Sequence, residues 1–377
     1  MESKTEQTIL WPWISGKPHV DMDRKTEDLL SPWDGTLVTT VAMADETTID
    51  AAIASAREAF VKNRNVTPAE RAVWLRKAAE EVDAVKNDIA DITMRALGKP
   101  KRACGVEAGR VSQLMRLCAE ELLRMEGDVL PLDALAMGAG RFGFTRHHPH
   151  GVIAAFTPFN APSNLLMQKV APAIAMGNSV VIKPAFEGVG EALLIAECFT
   201  RAGVPDGLVN VVACRRDVTG HLVAHRDIAV VTLTGGTAAG EALASAAGAK
   251  PFIGELGGNS ANIVCADADV RDAALRITPS AFEASGQQCI SAQRIIVEEA
   301  VLEEFLEYFV DAAKAMKVGD PTKDDTDVGP MVNVEAADRV EKMVEEAVAG
   351  GAKAPLPLKR ENAIIYPTIL VTELPDE

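Results

Sequence analysis

The chain lacks an excess of positive charge. Its 377 residues carry 38 Lys and Arg against 54 Asp and Glu, a formal net charge of −16. The phosphates of a nucleic acid and an anionic membrane surface would both be repelled by that balance, so neither is expected as a partner. No apolar run reaches membrane-spanning length. The start, Met1-Glu2-Ser3-Lys4-Thr5-Glu6, has no basic-then-apolar signal pattern. There is no C-x-x-C pair. Cys104, Cys118, Cys198, Cys214, Cys265 and Cys289 stand singly, which speaks against a disulfide framework or a zinc site and for free thiols in a reducing cytoplasm. Internal repeats and low-complexity segments are also missing. What is present, 48% hydrophobic and 24% charged residues, is ordinary for a globular protein, and the length allows two or three domains.

The first third reads as helical with a small β element. Ile9–Ile14 reads as one short strand, and Thr36–Val41 as another after the turn at 31–35. Asp45 opens a helix in which Ile49, Ala52, Ile53, Ala56 and Phe60 recur at three- and four-residue spacing. Thr67-Pro68 opens a second helix, with proline at the first position, which runs to the break at Gly98-Lys99-Pro100; residues 103–125 form a third. Residues 127–150 read as an extended hairpin or arm. From 151 onward, strands at 152–157, 179–183, 208–213 and 229–234 alternate with helices at 163–176, 187–202, 216–225 and 238–247. Strands apolar on both faces predict a parallel sheet covered on both sides, with ligands bound at its carboxyl edge. A second α/β region follows 255, with strands at 261–265 and 294–297 and helices at 270–284, 300–316 and 335–349.

Several segments carry chemistry. Cys289, in Ser285-Gly286-Gln287-Gln288-Cys289-Ile290-Ser291, is a candidate nucleophile, although free cysteine is usually a buried, inert core residue. Glu255, in Gly254-Glu255-Leu256-Gly257-Gly258-Asn259, is either a desolvated carboxylate with a raised pKa or a solvated loop residue. Asn160, held between Pro158 and Pro162, is either an oxyanion donor or a helix cap. Thr234-Gly235-Gly236-Thr237-Ala238-Ala239-Gly240 lies between a strand and a helix, where a phosphate could approach the backbone, but it is not G-x-G-x-x-G. Lys183-Pro184-Ala185 ends another strand. Of His147, His148 and His150, only the last two can share a face of an extended chain, and no third metal ligand accompanies them. Arg110, Arg116 and Arg294 could meet an anionic substrate or simply be solvated or ion-paired.

Together, Thr-Pro-Phe-Asn-x-Pro, Lys-Pro-Ala, Thr-Gly-Gly-Thr-x-x-Gly, Glu-Leu-Gly-Gly-Asn and Gly-Gln-x-Cys-Ile-Ser, in this order and spacing, closely resemble the NAD(P)-dependent aldehyde dehydrogenase superfamily. The resemblance runs from the first strands through Pro367. It implies an α/β fold: a Rossmann-like cofactor domain (1–126 and 151–254), a bridging and oligomerisation arm (127–150) and a second α/β catalytic domain (255–377). It implies Cys289 as the nucleophile, Asn160 with the Cys289 amide as the oxyanion hole, Glu255 as the base that activates water, and Lys169 in a proton relay. For NAD or NADP it implies Thr157, Pro158, Phe159, Lys183, Ala185, Phe186, Thr234, Gly235, Gly236, Gly240 and Leu256.

The expected substrate is a small aldehyde, and full-length members of the superfamily homo-oligomerise. Glu255 favours the hydrolytic branch over a CoA-acylating one. Phe186 stands where NAD-preferring members often carry a ribose-binding glutamate, so NADP use stays open; Gly236 stands where serine is common. The superfamily's Glu-x-Phe-Gly-Pro segment is expected after Tyr366-Pro367-Thr368-Ile369-Leu370, beyond Glu377. The catalytic domain is therefore expected to be incomplete at its C-terminal side, with a non-catalytic dinucleotide-binding remnant as the competing reading.

Overall fold

The structure, a computed structural model, describes residues 9–259 and 261–373. The N-terminal strands are β1 (Ile9–Leu10), β2 (Trp13–Ile14), β3 (Lys17–Pro18), β4 (Thr26–Leu30) and β5 (Leu37–Ala42). The single strand expected over 9–14 is two, because Pro12 has no N–H to give a ladder. β1 joins β5 and β4, while β2 and β3 extend the main sheet.

Three helices follow. α1 (Glu46–Asn63) is capped by Asp45, which accepts from the Thr48 amide at 2.9 Å. α2 (Pro68–Leu97) opens with a reciprocal capping box between Thr67 and Glu70 and closes at Gly98, whose φ of 66° is left-handed. α3 (Lys101–Leu122) turns back along α2, and the two share a fully buried seam through Leu75, Val82, Ile89, Val111 and Met115. In the segment 127–150, β6 (Val129–Leu130) pairs antiparallel with β7 (Gly143–Phe144). Val129, Leu135, Met137, Phe142 and Phe144 are exposed on it.

The main sheet contains β8 (Val152–Phe156), β9 (Ser179–Lys183), β10 (Val209–Val211), β11 (Ile228–Thr234) and β12 (Phe252–Glu255). They run parallel in the order β12-β11-β8-β9-β10, and antiparallel β2 and β3 complete the edge. The intervening helices are α4 (Pro162–Ala175), α5 (Val189–Arg201), α6 (Arg216–Ala224) and α7 (Thr237–Ala247). Strand alternation decides which side each residue serves. Val180 and Ile182 pack with α2, α3, α4 and α5, whereas Val181 between them packs with α1 and α6. β12 is the strand that the sequence reading left unresolved. Three of its four residues, Ile253, Gly254 and Glu255, are exposed, so no apolar run marks it.

The second region pairs β13 (Ala261–Val264) in parallel with β14 (Arg294–Val297), crossing over through α8 (Val270–Phe282). α9 (Glu299–Ala315) brings Phe305 and Phe309 onto that layer, their rings stacked 5.3 Å apart. α10 (Val334–Ala349) precedes β15 (Lys353–Leu356), β16 (Arg360–Glu361), β17 (Ile364–Ile365) and β18 (Ile369–Val371); β15 pairs with β18 and β16 with β17. Among the described residues no helix is long and apolar enough to cross a membrane.

Candidate active site

The loops after β8, β11 and β12 leave the same carboxyl edge of the sheet, where a doubly wound fold binds its ligands. Between them lies a cleft of about 260 Å³, lined among others by Phe159, Asn160, Thr234, Gly235, Gly236, Leu256 and Cys289.

Burial separates the thiols. Cys104, Cys198 and Cys214 are buried and Cys118 is half-buried, while Cys265 and Cys289 are exposed. Burial pushes the Cys104 thiol up to about 12 and that of Cys198 to about 11, which leaves both inert at neutral pH. Of the two exposed thiols, Cys289 lines the cleft. The chain reaches it through a strained turn: Ala284, Ser285 and Gly286 all have positive φ, at 50°, 58° and 70°. For the two non-glycine residues this costs on the order of 1–2 kcal/mol each. The turn is held from outside. Ser285 Oγ donates to the Gly329 carbonyl at 2.8 Å, and the Val332 amide donates to Gln287 Oε1 at 3.1 Å. Strain maintained beside a reactive group in this way is typical of functional loops.

Asn160 comes from the other side. Its Nδ2 donates to the Gln287 carbonyl at 2.8 Å, two residues before Cys289, so the amide is tied to the cysteine loop. Its Oδ1 is buried without a partner. The capping role is filled differently: Ala161 is the N-cap of α4 and makes no side-chain cap bond. The helix start is capped by the carboxylate of Glu107, which accepts from Ser163 N at 3.0 Å, Ser163 Oγ at 2.8 Å and Asn164 N at 3.2 Å.

Glu255 ends β12, in register with Thr234, and its carbonyl accepts from Gly235 N at 3.0 Å. The sequence reading allowed a desolvated carboxylate here. The side chain instead lies exposed on an edge strand, so the burial on which that expectation rested is absent. Lys169 is the buried partner on this side. Its ammonium donates to Thr232 Oγ1 at 3.1 Å, and burial lowers its pKa to about 8 against the opposing pull of Glu255.

The glycine turn is suited to a dinucleotide. A Cβ on Gly236 would meet no atom within 4 Å, so the backbone there is open to a ligand. No side chain caps the first turn of α7, which leaves its amides free for a phosphate. Gly240 serves packing instead. A Cβ there would lie 2.4 Å from Leu256 Cδ2, so any side chain would displace Leu256 from its packing against α7. At the end of β9, Lys183 is largely buried and its pKa is lowered by desolvation. Thr157 is buried, and its carbonyl accepts from Ala185 N at 2.9 Å, which joins the ends of β8 and β9. Phe186 packs onto an apolar cluster with Val41, Met43, Val189 and Ala213. These residues fit the adenosine and pyrophosphate portions of NAD or NADP.

Of the arginines, Arg116 pairs with Asp83 at 2.5 Å. Arg110 is exposed on α3, one turn beyond Glu107, and Arg294 is exposed on β14. The sequence reading missed a buried ion pair, Lys99–Glu107 at 2.7 Å, whose ammonium also donates to the Asn160 carbonyl at 3.1 Å. Lys99 was legible only as part of a helix break.

The sequence model of the aldehyde dehydrogenase family matches residues 19–376. An aldehyde-dehydrogenase-like protein of Sinorhizobium fredii is 37% identical over 340 residues, 90% of this chain and 66% of that protein. The 3-sulfolactaldehyde dehydrogenase of Priestia aryabhattai is 38% identical over 331 residues, 88% of this chain and 69% of that enzyme. This chain thus spans about two thirds of the length of these relatives. The NADP-dependent glyceraldehyde-3-phosphate dehydrogenase of Bacillus halodurans C-125, solved with NADP, superposes with a TM-score of 0.93 at 30% identity, covering 97% of this chain and 78% of that one. Similar structures are known with NAD as well as NADP. By its sequence model, its relatives and its fold, the chain belongs to the aldehyde dehydrogenase family, NAD(P)-dependent oxidoreductases that convert aldehydes to acids.

Proposed function

We propose that this chain carries the family's reaction on Cys289, with Asn160 as oxyanion donor and Glu255 as the base for hydrolysis. The observation that supports this reading is one shared cleft: Cys289, Asn160 and the open Gly235-Gly236 turn line it together. The Cys289 thiolate attacks the aldehyde carbonyl, and the Asn160 amide and the Cys289 N–H stabilise the resulting oxyanion. NAD(P)+ held at the Gly235-Gly236 turn would supply the oxidant as a hydride acceptor, and loss of that hydride from the thiohemiacetal would leave a thioester on Cys289. Glu255 then takes a proton from the water that attacks the thioester, which releases the carboxylate and the free thiol. Lys169, buried between Thr232 and Glu255 with its pKa near 8, is suited to pass that proton on. Lys183, Phe186, Gly235 and Gly236 hold the cofactor, Gly240 lets α7 pack against Leu256 behind them, and Thr157, Pro158, Phe159, Ala185 and Leu256 form the cofactor's walls.

The substrate class is an aldehyde with a second, anionic group. Two of the similar enzymes are named for such aldehydes, one a sulfonate and one a phosphate. Arg110 is the cation we assign to that group, as an exposed arginine on α3, the helix whose Glu107 caps α4 beside Asn160. The cofactor domain comprises 1–126 and 151–254, and the catalytic domain 255–377. The exposed apolar residues of the 127–150 arm suit self-association, and six free thiols suit the cytoplasm.

The test is stopped-flow absorbance of NAD(P)H on mixing with an anionic aldehyde. A burst is expected in the wild type and none in Cys289→Ala. Glu255→Gln is expected to keep the burst and lose turnover. A wild-type chain that binds NAD+ but gives no burst would support the remnant reading, and normal turnover in Glu255→Gln would remove Glu255 as the base.

A further inference from the structure

The Gly98-Lys99-Pro100 turn lies where three things meet: the carbonyl of Asn160, the start of α4 and the segment that holds the cysteine loop. Lys99 and Glu107 have side chains only 8% and 5% exposed and pair at 2.7 Å. Lys99 Nζ also donates to the Asn160 carbonyl at 3.1 Å. The other oxygen of Glu107 accepts from Ser163 N, Ser163 Oγ and Asn164 N. The pair thus grips the loop after β8 on both sides of Pro162, at Asn160 and at the first turn of α4. A small cavity, about 10 Å³, is lined by Lys99, Asn160, Ser285 and Gln287 together. The same turn supports the cysteine loop. A Cβ on Gly98 would lie 2.3 Å from Pro330 Cγ, and one on Gly329 would lie 2.0 Å from the Gly98 carbonyl oxygen. Gly329 and Pro330 are the residues whose carbonyls hold Ser285.

We infer that the buried Lys99–Glu107 pair is a positioning device for the oxyanion hole. It fixes the Asn160 backbone, and so the direction of Nδ2, relative to Cys289. The inference rests on the role proposed for Asn160. The physical ground is the cost of the alternatives. A buried ion pair contributes little net stability compared with an apolar pair of similar volume. It does, however, hold its partners along charge-assisted hydrogen bonds of fixed direction. An oxyanion donor needs that kind of fixing, since a displacement of about 1 Å can cost on the order of a hundredfold in rate.

The variants are Lys99→Met/Glu107→Gln, which removes both charges while leaving Gln an oxygen for Ser163 and Asn164, and Asn160→Ala, which keeps the backbone carbonyl that Lys99 holds. The probe is p-nitrophenyl acetate without cofactor. Cys289 attacks the ester carbonyl, the oxyanion forms in the same hole, and p-nitrophenolate leaves as the acyl group stays on sulfur. Stopped-flow absorbance reads the rate constant of that burst. The melting temperature and the rate of Cys289 alkylation by iodoacetamide, which forms no oxyanion, serve as structural controls.

The burst rate constant is expected to fall on the order of ten- to a hundredfold in Lys99→Met/Glu107→Gln, and about a hundredfold or more in Asn160→Ala. Alkylation is expected to stay within about twofold, because the Gly98–Gly329 contact and the Ser285 hydrogen bonds that hold the cysteine loop are left in place by these substitutions. In the Asn160→Ala background the double substitution should slow the burst no further. An equal slowing in both backgrounds, a loss of alkylation in step with the burst, or an unchanged burst overturns the positioning role. A wild-type burst that does not depend on Cys289 or Asn160 overturns the proposed site itself, and the inference with it.

Discussion

Glu191 offers a test of the same buried cluster that reads out in stability. It lies in α5 with no exposed surface, and neither carboxylate oxygen has a hydrogen-bond partner. Around it are Thr93, Glu107, Lys99 and Cys104. The Thr93 hydroxyl is engaged with the Ile89 carbonyl at 2.8 Å, and Lys99 is engaged with Glu107. Burial therefore dominates and raises the Glu191 carboxyl from 4.5 to about 8. Between those values the unfolded chain has released a proton that the folded chain keeps. The contribution is fully present below pH 4.5 and is lost as pH rises to about 8, so stability falls with pH. The slope approaches about 1.4 kcal/mol per pH unit, so that the loss from pH 5.5 to 7.5 is about 2–3 kcal/mol. Glu191→Gln cannot ionise and removes this component. Its absolute stability depends on how well the amide is accommodated, but the pH slope of the difference does not. Urea unfolding of both proteins at pH 5.5, 6.5 and 7.5 reads that slope. The wild type is expected to lose about 2–3 kcal/mol relative to the variant across this range. Parallel profiles would refute burial as the controlling effect. Such profiles would mean that Glu191 is already ionised in the fold by pH 5.5 and shares the Lys99 ammonium with Glu107.

Lys169 should show the complementary behaviour. Its pKa of about 8 means that the folded chain holds an ammonium at a cost of about 3 kcal/mol below pH 8, relieved as pH rises toward 10.5. Lys169→Met should thus be more stable than the wild type at pH 7 in thermal melts, with the gap closing by pH 10; a gap that does not change with pH would count against this. Arg110→Leu should raise KM for a sulfonate- or phosphate-bearing aldehyde about tenfold or more, the value of a hydrogen bond to a charged group. KM for an uncharged aldehyde should stay nearly constant, and equal changes for both substrates would rule out anion recognition at Arg110.

Much of the fold was legible because it is written in local patterns. Asp45, the Thr67–Glu70 box and Gly98 mark helix ends through side-chain and backbone chemistry that acts within a few residues. The buried strands β8 to β11 are continuous apolar runs. The failures share one physical cause, dependence on distant partners. β12 has no apolar pattern because most of it is exposed, and it is a strand only because β11 offers it a ladder. The apolar neighbours of Glu255 in sequence leave a desolvated and a solvated carboxylate equally open, and the choice falls to the solvated one because those neighbours do not surround it in space. The Lys99–Glu107 pair lies within a single helix-turn-helix, yet what makes it matter is Asn160 and Ser163, more than fifty residues away, and no local periodicity reports that.

The geometry also explains why a strained cysteine loop can be tolerated. Cys289 and Asn160 belong to different packing units, the β13–β14 region and the main sheet. Their separation is set wherever the two units touch rigidly, and one such place is the Gly98–Gly329 contact, where neither residue could carry a side chain. On one side of it, Lys99 continues to the Asn160 carbonyl; on the other, Gly329 and Pro330 continue to Ser285. Left-handed backbone at Ala284 and Ser285 would relax if the turn were free. The Gly329 and Pro330 carbonyls oppose this by accepting the Ser285 hydroxyl. The proposed nucleophile, Cys289, and the proposed oxyanion donor, Asn160, are thus tied to a common backbone contact, through Ser285 on one side and Lys99 on the other, by hydrogen bonds rather than by contact with substrate.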